Sequence, residues 1–173
     1  MKRNILTFLC TVLMAGAVCS LNAQKFYTHS VGGMVGNMWG ASYQTYLLDN
    51  LVLGADLGVK LVYTAGKDIA GIDLMTLELN PNLMYSHSFT SNINGLFGGG
   101  VSLGYNFLAW GFNRINAGKF GINALAGMEY KFDIPLVLQA DIRPGFGMLF
   151  GGGTGAWPYF DWAACVTVRY ILK

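Results

Sequence analysis

Charge is scarce in these 173 residues: 12% are Asp, Glu, Lys or Arg, against roughly 25% in an average globular chain. So few charges suit a chain that buries nearly everything or one that faces lipid. Cysteine is scarcer still. Cys10 and Cys19 fall in the first 23 residues and Cys165 stands alone after them, so the remainder cannot form an internal disulfide. Histidine occurs only at His29 and His87, which leaves little material for nucleophile–base chemistry. After residue 24 no run of about 20 uncharged apolar residues occurs, so no later helix can cross a bilayer. Helical periodicity is also largely missing.

What is present begins with an export signal. Lys2 and Arg3 precede the apolar run ILTFLCTVLMAGAV, and SLNAQ follows, with Ala23 as the last residue of an A-x-A-like cleavage site. Residues 1–23 are read as a cleaved signal peptide and 24–173 as one domain. The run is short for a membrane anchor, and Val18 is a poor residue before a lipidated Cys19. Cleavage leaves nine basic and nine acidic residues, a formal charge of zero, and nothing that suggests a nucleic-acid partner.

The mature chain alternates with period two, and turn residues punctuate it. The alternation predicts eight strands at about 26–37, 40–48, 51–63, 74–87, 95–107, 119–132, 136–148 and 159–172. Asp49-Asn50 reads as a two-residue hairpin turn, SFTSNIN and DIP as the other short connections. TAGKDIAGID, LAWGFNRINAG and LFGGGTGAWP read as longer loops on the opposite side. An even number of strands, short turns at one end and long loops at the other is the layout of an outer-membrane barrel. The predicted lengths suit it, since a tilted membrane strand needs about 9–11 residues.

The phase of the charges decides which face is wet. In the last six strands one phase carries no group ionisable near neutral pH: Leu136, Leu138, Ala140, Ile142, Phe146 and Met148 are an example. Aromatics such as Tyr63, Tyr85, Phe107, Phe120, Tyr130, Phe160 and Tyr170 recur at its strand ends, as interfacial girdles do. The other phase holds Gly, Asn and charges of both signs: Asp56, Lys60, Glu78, Glu129, Lys131, Asp141, Arg143, Asp161 and Arg169. A soluble surface would carry many more charges. The expected architecture is therefore all-β: an eight-stranded antiparallel up-and-down transmembrane β-barrel. Its interior is a network of the nine charged residues just named, since buried ions persist only when paired. Gly on the inward phase is expected to make room for them. Pro81 and Pro144 fit poorly, because a closed barrel has no free edge for a residue without an N–H; a bulge or a local loss of pairing near Pro144 would resolve the conflict.

The segment GMEYKFDIPLVLQADIRPGFGM (127–148), the terminal strand FDWAACVTVRYILK (160–173) and the signal peptide together resemble small OmpA/OmpX-like outer-membrane barrels, especially the Bacteroidetes-type barrel proteins. The resemblance covers essentially the whole mature chain. It implies localisation in the outer membrane of a Gram-negative bacterium, contact with outer-membrane lipids and lipopolysaccharide, and recognition of the C-terminal strand by the barrel-insertion machinery. Such strands often end in an aromatic residue; here Tyr170 and Leu172 keep the outward phase and Lys173 is last.

No cofactor, metal or catalytic residue is expected, and the chain is expected to be a monomer. The role read from the sequence is structural or surface-interacting, through loops at about 64–73, 108–118 and 149–158, with Trp110, Arg114 and Trp157 as candidate ligand contacts. The alternative is a narrow porin-like channel for small solutes. A lipid A-modifying hydrolase is a weaker reading, because His29 and His87 fall on the predicted periplasmic side, away from lipid A.

Overall fold

The computed structural model describes residues 25–63, 72–108, 117–151 and 156–172. Strands β1 (His29–Gly36), β2 (Met38–Tyr46), β3 (Leu51–Tyr63), β4 (Ile72–Ser88), β5 (Ile93–Leu108), β6 (Ala117–Lys131), β7 (Leu136–Gly151) and β8 (Ala156–Leu172) form a closed barrel. Each pairs antiparallel with its neighbour in sequence, and β1 pairs with β8. The register fixes the shear. Stepping from Gly33 through Ala41, Leu57, Leu79, Leu103, Phe120 and Met148 arrives at Pro158. The residue of β8 that pairs with Gly33 is Val168, ten positions further on, so the barrel has eight strands and a shear of ten.

Period-two sequences produce this wall because alternate side chains point to opposite faces of a strand. In β7 the buried positions Val137, Gln139, Asp141 and Arg143 alternate with Leu138, Ala140, Ile142 and Pro144 on the other face. Outward residues are large, apolar and open to the surroundings: Phe146 and Ile142 are each 56% exposed, Ile122 61%. Inward residues include Glu78, Glu129, Gln139 and Arg169, each 1% exposed or less. The polarity is that of a protein turned inside out.

Several boundaries differ from the sequence expectation. The expected turn at Asp49-Asn50 is a four-residue connection, 47–50, in which Leu47 N donates to Leu51 O at 2.8 Å. Only Asn37 separates β1 from β2; Gly36 takes φ 144° there, which an L side chain avoids. Strands β7 and β8 run on to Gly151 and back to Ala156, so most of the loop expected at 149–158 is strand. Trp157 lies inside β8, paired with Leu149. Strand β1 starts at His29, not residue 26, because Phe26 and Tyr27 leave the wall and turn inward, each 5% exposed.

The prolines are accommodated without a bulge at either site. Pro81 pairs with Ala55 of β3, but the ladder to β5 lapses between Leu79↔Leu103 and Asn82↔Gly100. Pro144 pairs with Trp162 of β8, and the ladder to β6 lapses between Asn123↔Gly145 and Ala126↔Ile142. The register is the same on both sides of each lapse. Each ring is thus tolerated by one local gap on the side where its N–H would have pointed.

Inward glycines serve two purposes. A Cβ on Gly54 would meet the flexible Met84 Cε at 2.9 Å, and one on Gly145 the Asp161 carboxylate; these make room for side chains. A Cβ on Gly98 would lie 2.1 Å from Leu83 O, and one on Gly32 1.9 Å from Val168 O. There the neighbouring backbone itself comes close, as strong coiling of a small barrel requires. Gly98→Ala should therefore lower folding stability in detergent or lipid by about 1–3 kcal/mol, the range for overpacking, whereas Gly54→Ala should change it by less. Urea unfolding followed by heat-modifiable gel migration reads both, and equal effects would refute the distinction.

Candidate functional site in the barrel interior

The inward phase builds a continuous polar fill between a sealed end and a charged end. At the end of the barrel where β1 begins and β8 finishes, Thr28 O accepts from Tyr46 N at 3.1 Å and holds the segment before β1 in the mouth. Phe26 and Tyr27 pack there with Tyr46, Val52, Leu96 and Val137. The Tyr27 and Tyr46 rings meet edge-on, centroids 5.1 Å apart. The Tyr27 hydroxyl lies 2.6 Å from Glu129 Oε2 and 2.7 Å from Gln44 Oε1. Burial, and then the Glu129 charge, push its phenol well above the ordinary value, so it stays a donor.

Above this mouth the charges are paired. Arg169 Nη2 donates to Glu129 Oε2 at 2.9 Å and to Gln139 Oε1 at 2.6 Å. Gln139 Nε2 in turn donates to Asp141 Oδ2 at 2.6 Å. Arg143 bridges two carboxylates, Asp141 on its own strand and Asp56 across the barrel, at 2.5 Å each. Nearer the opposite rim, Lys60 reaches Asp161 at 2.8 Å and Lys119 reaches the same oxygen at 2.5 Å. Lys119 also pairs with Glu78 and lies 4.6 Å from the Tyr159 ring centroid. The cavity lined by Lys60, Glu78, Asn123, Arg143 and Asp161 measures about 10 Å³, no more than the room of one water.

Eight of the nine charges named from sequence, Asp56, Lys60, Glu78, Glu129, Asp141, Arg143, Asp161 and Arg169, lie in these ion pairs. Lys131 does not. It sits half-buried at the mouth, 5.8 Å from the Phe26 ring centroid, and forms no ion pair among the described residues. Lys119 was missed, although it shares the inward phase with Asn123 and Glu129; its place at the head of its predicted strand hid it. Tyr27 and Tyr159 were missed as well. Trp110 and Arg114 lie outside the described residues, and Trp157 is described only by its backbone.

The histidines serve other contacts. His29 Nδ1 lies 2.9 Å from the Tyr43 hydroxyl on an exposed face. His87 packs edge-on against Phe89 at 5.2 Å. The neighbouring Ser86 pairs with Tyr46, and Ser88 with Asn94.

The chain is similar in fold to the N-terminal β-barrel domain of Pseudomonas aeruginosa OprF. The match to that crystal structure has a TM-score of 0.57 and 14% sequence identity, and covers 82% of this chain and 93% of that one. No protein-family model and no curated protein matches the sequence. The likeness to the OprF barrel agrees with the eight-stranded antiparallel barrel expected from the sequence.

Arg143→Leu would strand Asp56 and Asp141 together in the interior. It should lower stability by about 3–5 kcal/mol, the range for breaking a buried pair. Lys131→Met should change it by less than about 1 kcal/mol. Urea titrations of the two variants refolded in lipid vesicles would test this, and a smaller loss for Arg143→Leu would dissolve the network's role.

Proposed function

We propose that this chain is an integral outer-membrane barrel with a structural fill inside and a structural or surface-interacting role outside. The exposed apolar wall and the likeness to the OprF barrel support the location. The observation that carries the role is the interior itself: ion pairs from strands far apart in sequence meet around a cavity of about 10 Å³. A conducting path for solutes would need room and loosely held charge at its narrowest part, whereas the cavity among Lys60, Glu78, Arg143 and Asp161 has room for about one water and its charges are paired.

The partners proposed for such a barrel are outer-membrane lipids and lipopolysaccharide along its wall. The barrel-insertion machinery would engage β8, where Tyr170 and Leu172 keep their side chains outward, 51% and 39% exposed. The loops expected at 64–73 and 108–118 lie outside the described residues except for their ends, which belong to β4, β5 and β6; they remain the proposed surface-interacting segments. His29 and His87 both belong to the end of the barrel where β1 begins and β8 finishes, the end proposed to be periplasmic, which supports a non-enzymatic role over one acting on lipid A. Kinship with the Bacteroidetes-type barrels rests on the sequence pattern and is part of the same proposal.

Reconstituted in a planar bilayer, the mature chain should give no discrete conductance steps. Reproducible single-channel steps would replace the filled-barrel reading with that of a narrow channel.

A further inference from the structure

The three turns at the end where β1 begins and β8 finishes are built alike. In each, the first turn residue donates its N–H to the carbonyl of the residue that opens the next strand: Leu47 to Leu51 at 2.8 Å, Phe89 to Ile93 at 2.9 Å, Phe132 to Leu136 at 3.1 Å. That first residue is large and apolar every time, and it is uncovered: Leu47 is 52% exposed, Phe89 55% and Phe132 37%. Leu48 and Ile134 stand beside them at 61% and 57%. Small polar residues would serve the turn geometry as well, so the repeated apolar residue calls for a reason outside the turn.

These residues continue the outer wall. Leu47 follows the outward phase of Tyr43, Phe89 that of Leu83, and Phe132 that of Met128 and Tyr130, all of them exposed. The Phe132 ring meets Tyr130 edge-on, centroids 4.9 Å apart. The Phe89 ring covers outward Gly95 of β5, where a Cβ would lie 2.7 Å from Phe89 Cε2. The apolar surface thus runs into all three turns without a polar margin. Lys131, the inward charge that forms no ion pair among the described residues, is the sequence neighbour of Phe132 and stands at the same level.

Position selects the occupant. The turns join β2 to β3, β4 to β5 and β6 to β7, so they stand around the ring, and Leu172, 39% exposed, ends the wall in the remaining quarter. A protein docking from one side would meet one or two of them; the lipid around the wall meets them all. Tyr130 and Phe120 are ten residues apart on β6, as are Tyr170 and Phe160 on β8. At about 3.3 Å per residue and a tilt near 40° that is roughly 25 Å, the height of a barrel's apolar band between its aromatic girdles. Phe132 lies two residues below Tyr130 and Phe89 four below Tyr85, or roughly 5–10 Å beyond the band. That is the depth of lipid glycerol and head groups, where aromatic rings settle and a phosphate would face Lys131.

On the outer-membrane reading above, we propose that Leu47, Phe89 and Phe132 form a collar that seats the three turns in the glycerol and head-group layer of the inner, phospholipid leaflet. The turn end is then a lipid-docking surface, and soluble partners meet the barrel at its other end. The test places a benzophenone side chain at position 47, 89 or 132, and at position 122 in the exposed wall as reference; positions 48 and 134 replace any that block folding, which heat-modifiable migration reports. Each chain is refolded into vesicles of phosphatidylethanolamine and phosphatidylglycerol, and is also expressed in a Gram-negative host. After irradiation the adducts are identified by mass spectrometry. The turn positions should each cross-link to phospholipid, in vesicles and in the host, with at least about one fifth of the lipid yield at position 122. A smaller yield from them, or a host protein as their main adduct, would overturn the collar alone. A chain that gives no lipid adduct even at position 122 would overturn the outer-membrane reading with it.

Discussion

Lys60 on β3 and Asp161 on β8 are 101 positions apart in sequence and 2.8 Å apart in space. They meet only because β1 hydrogen-bonds to β8 and closes the sheet. Without that seam the inward phase would be one face of an open sheet, and its charged groups would be accessible to water. Closure removes the water, so each ion must find a partner inside a ring of eight strands. It also pairs the backbone groups along the seam, as a wall in lipid would require. The seam carries Gly32 against Val168 O, a contact that only a residue without Cβ can make. Closure, desolvation and ion pairing are in this sense one event.

That coupling explains why the interior is filled. A barrel of eight strands leaves a bore just wide enough for side chains. Arg143, Arg169, Lys60 and Lys119 reach across it, and Gly145 leaves space for the Asp161 carboxylate that pairs with both lysines. Tyr27 and Phe26 enter from the N-terminal segment and close one mouth with apolar bulk. The polar fill and the apolar plug complement each other, since Tyr27 packs among the core residues with its ring and reaches Glu129 with its hydroxyl. A pore would have to break both layers.

The wall was legible in the sequence because it depends on a local property. Alternation assigns each residue to a face without any knowledge of its neighbours, so Asp141 and Arg143 read as inward and Leu138 and Ile142 as outward. Pairing is not local. Which acid meets Arg143 depends on shear, a property of all eight strands together, so Asp56, 87 positions away, could not be singled out. The inward turn of Phe26 and Tyr27 was hidden for a different reason: they continue the period of β1 in sequence, and only the apolar mouth draws them out of the wall. The glycine-rich stretch near 151 looked like loop because glycine weakens a strand; here β7 pairs with β8 as far as Phe150↔Ala156 and with β6 as far as Gly151↔Ala117, so the strands run up to that stretch.

The four prolines show how a closed sheet and an incomplete rim coexist. Pro135 lies in the turn between β6 and β7, where no ladder bond is needed. Pro81 and Pro144 sit mid-wall, and each stops the ladder on one side while the register continues unchanged. The remaining strand contacts keep those gaps short. Pro158 is different, for its missing N–H faces the β1 side of β8, above the short β1–β2 hairpin. A closed barrel has no edge, yet among the described residues β8 has no partner on its β1 side above the point where Asn37 caps Ala164. Proline there removes a donor that β1 is too short to meet. The same residue that seems hostile to a strand thus lies where β8 has run past its β1 partner.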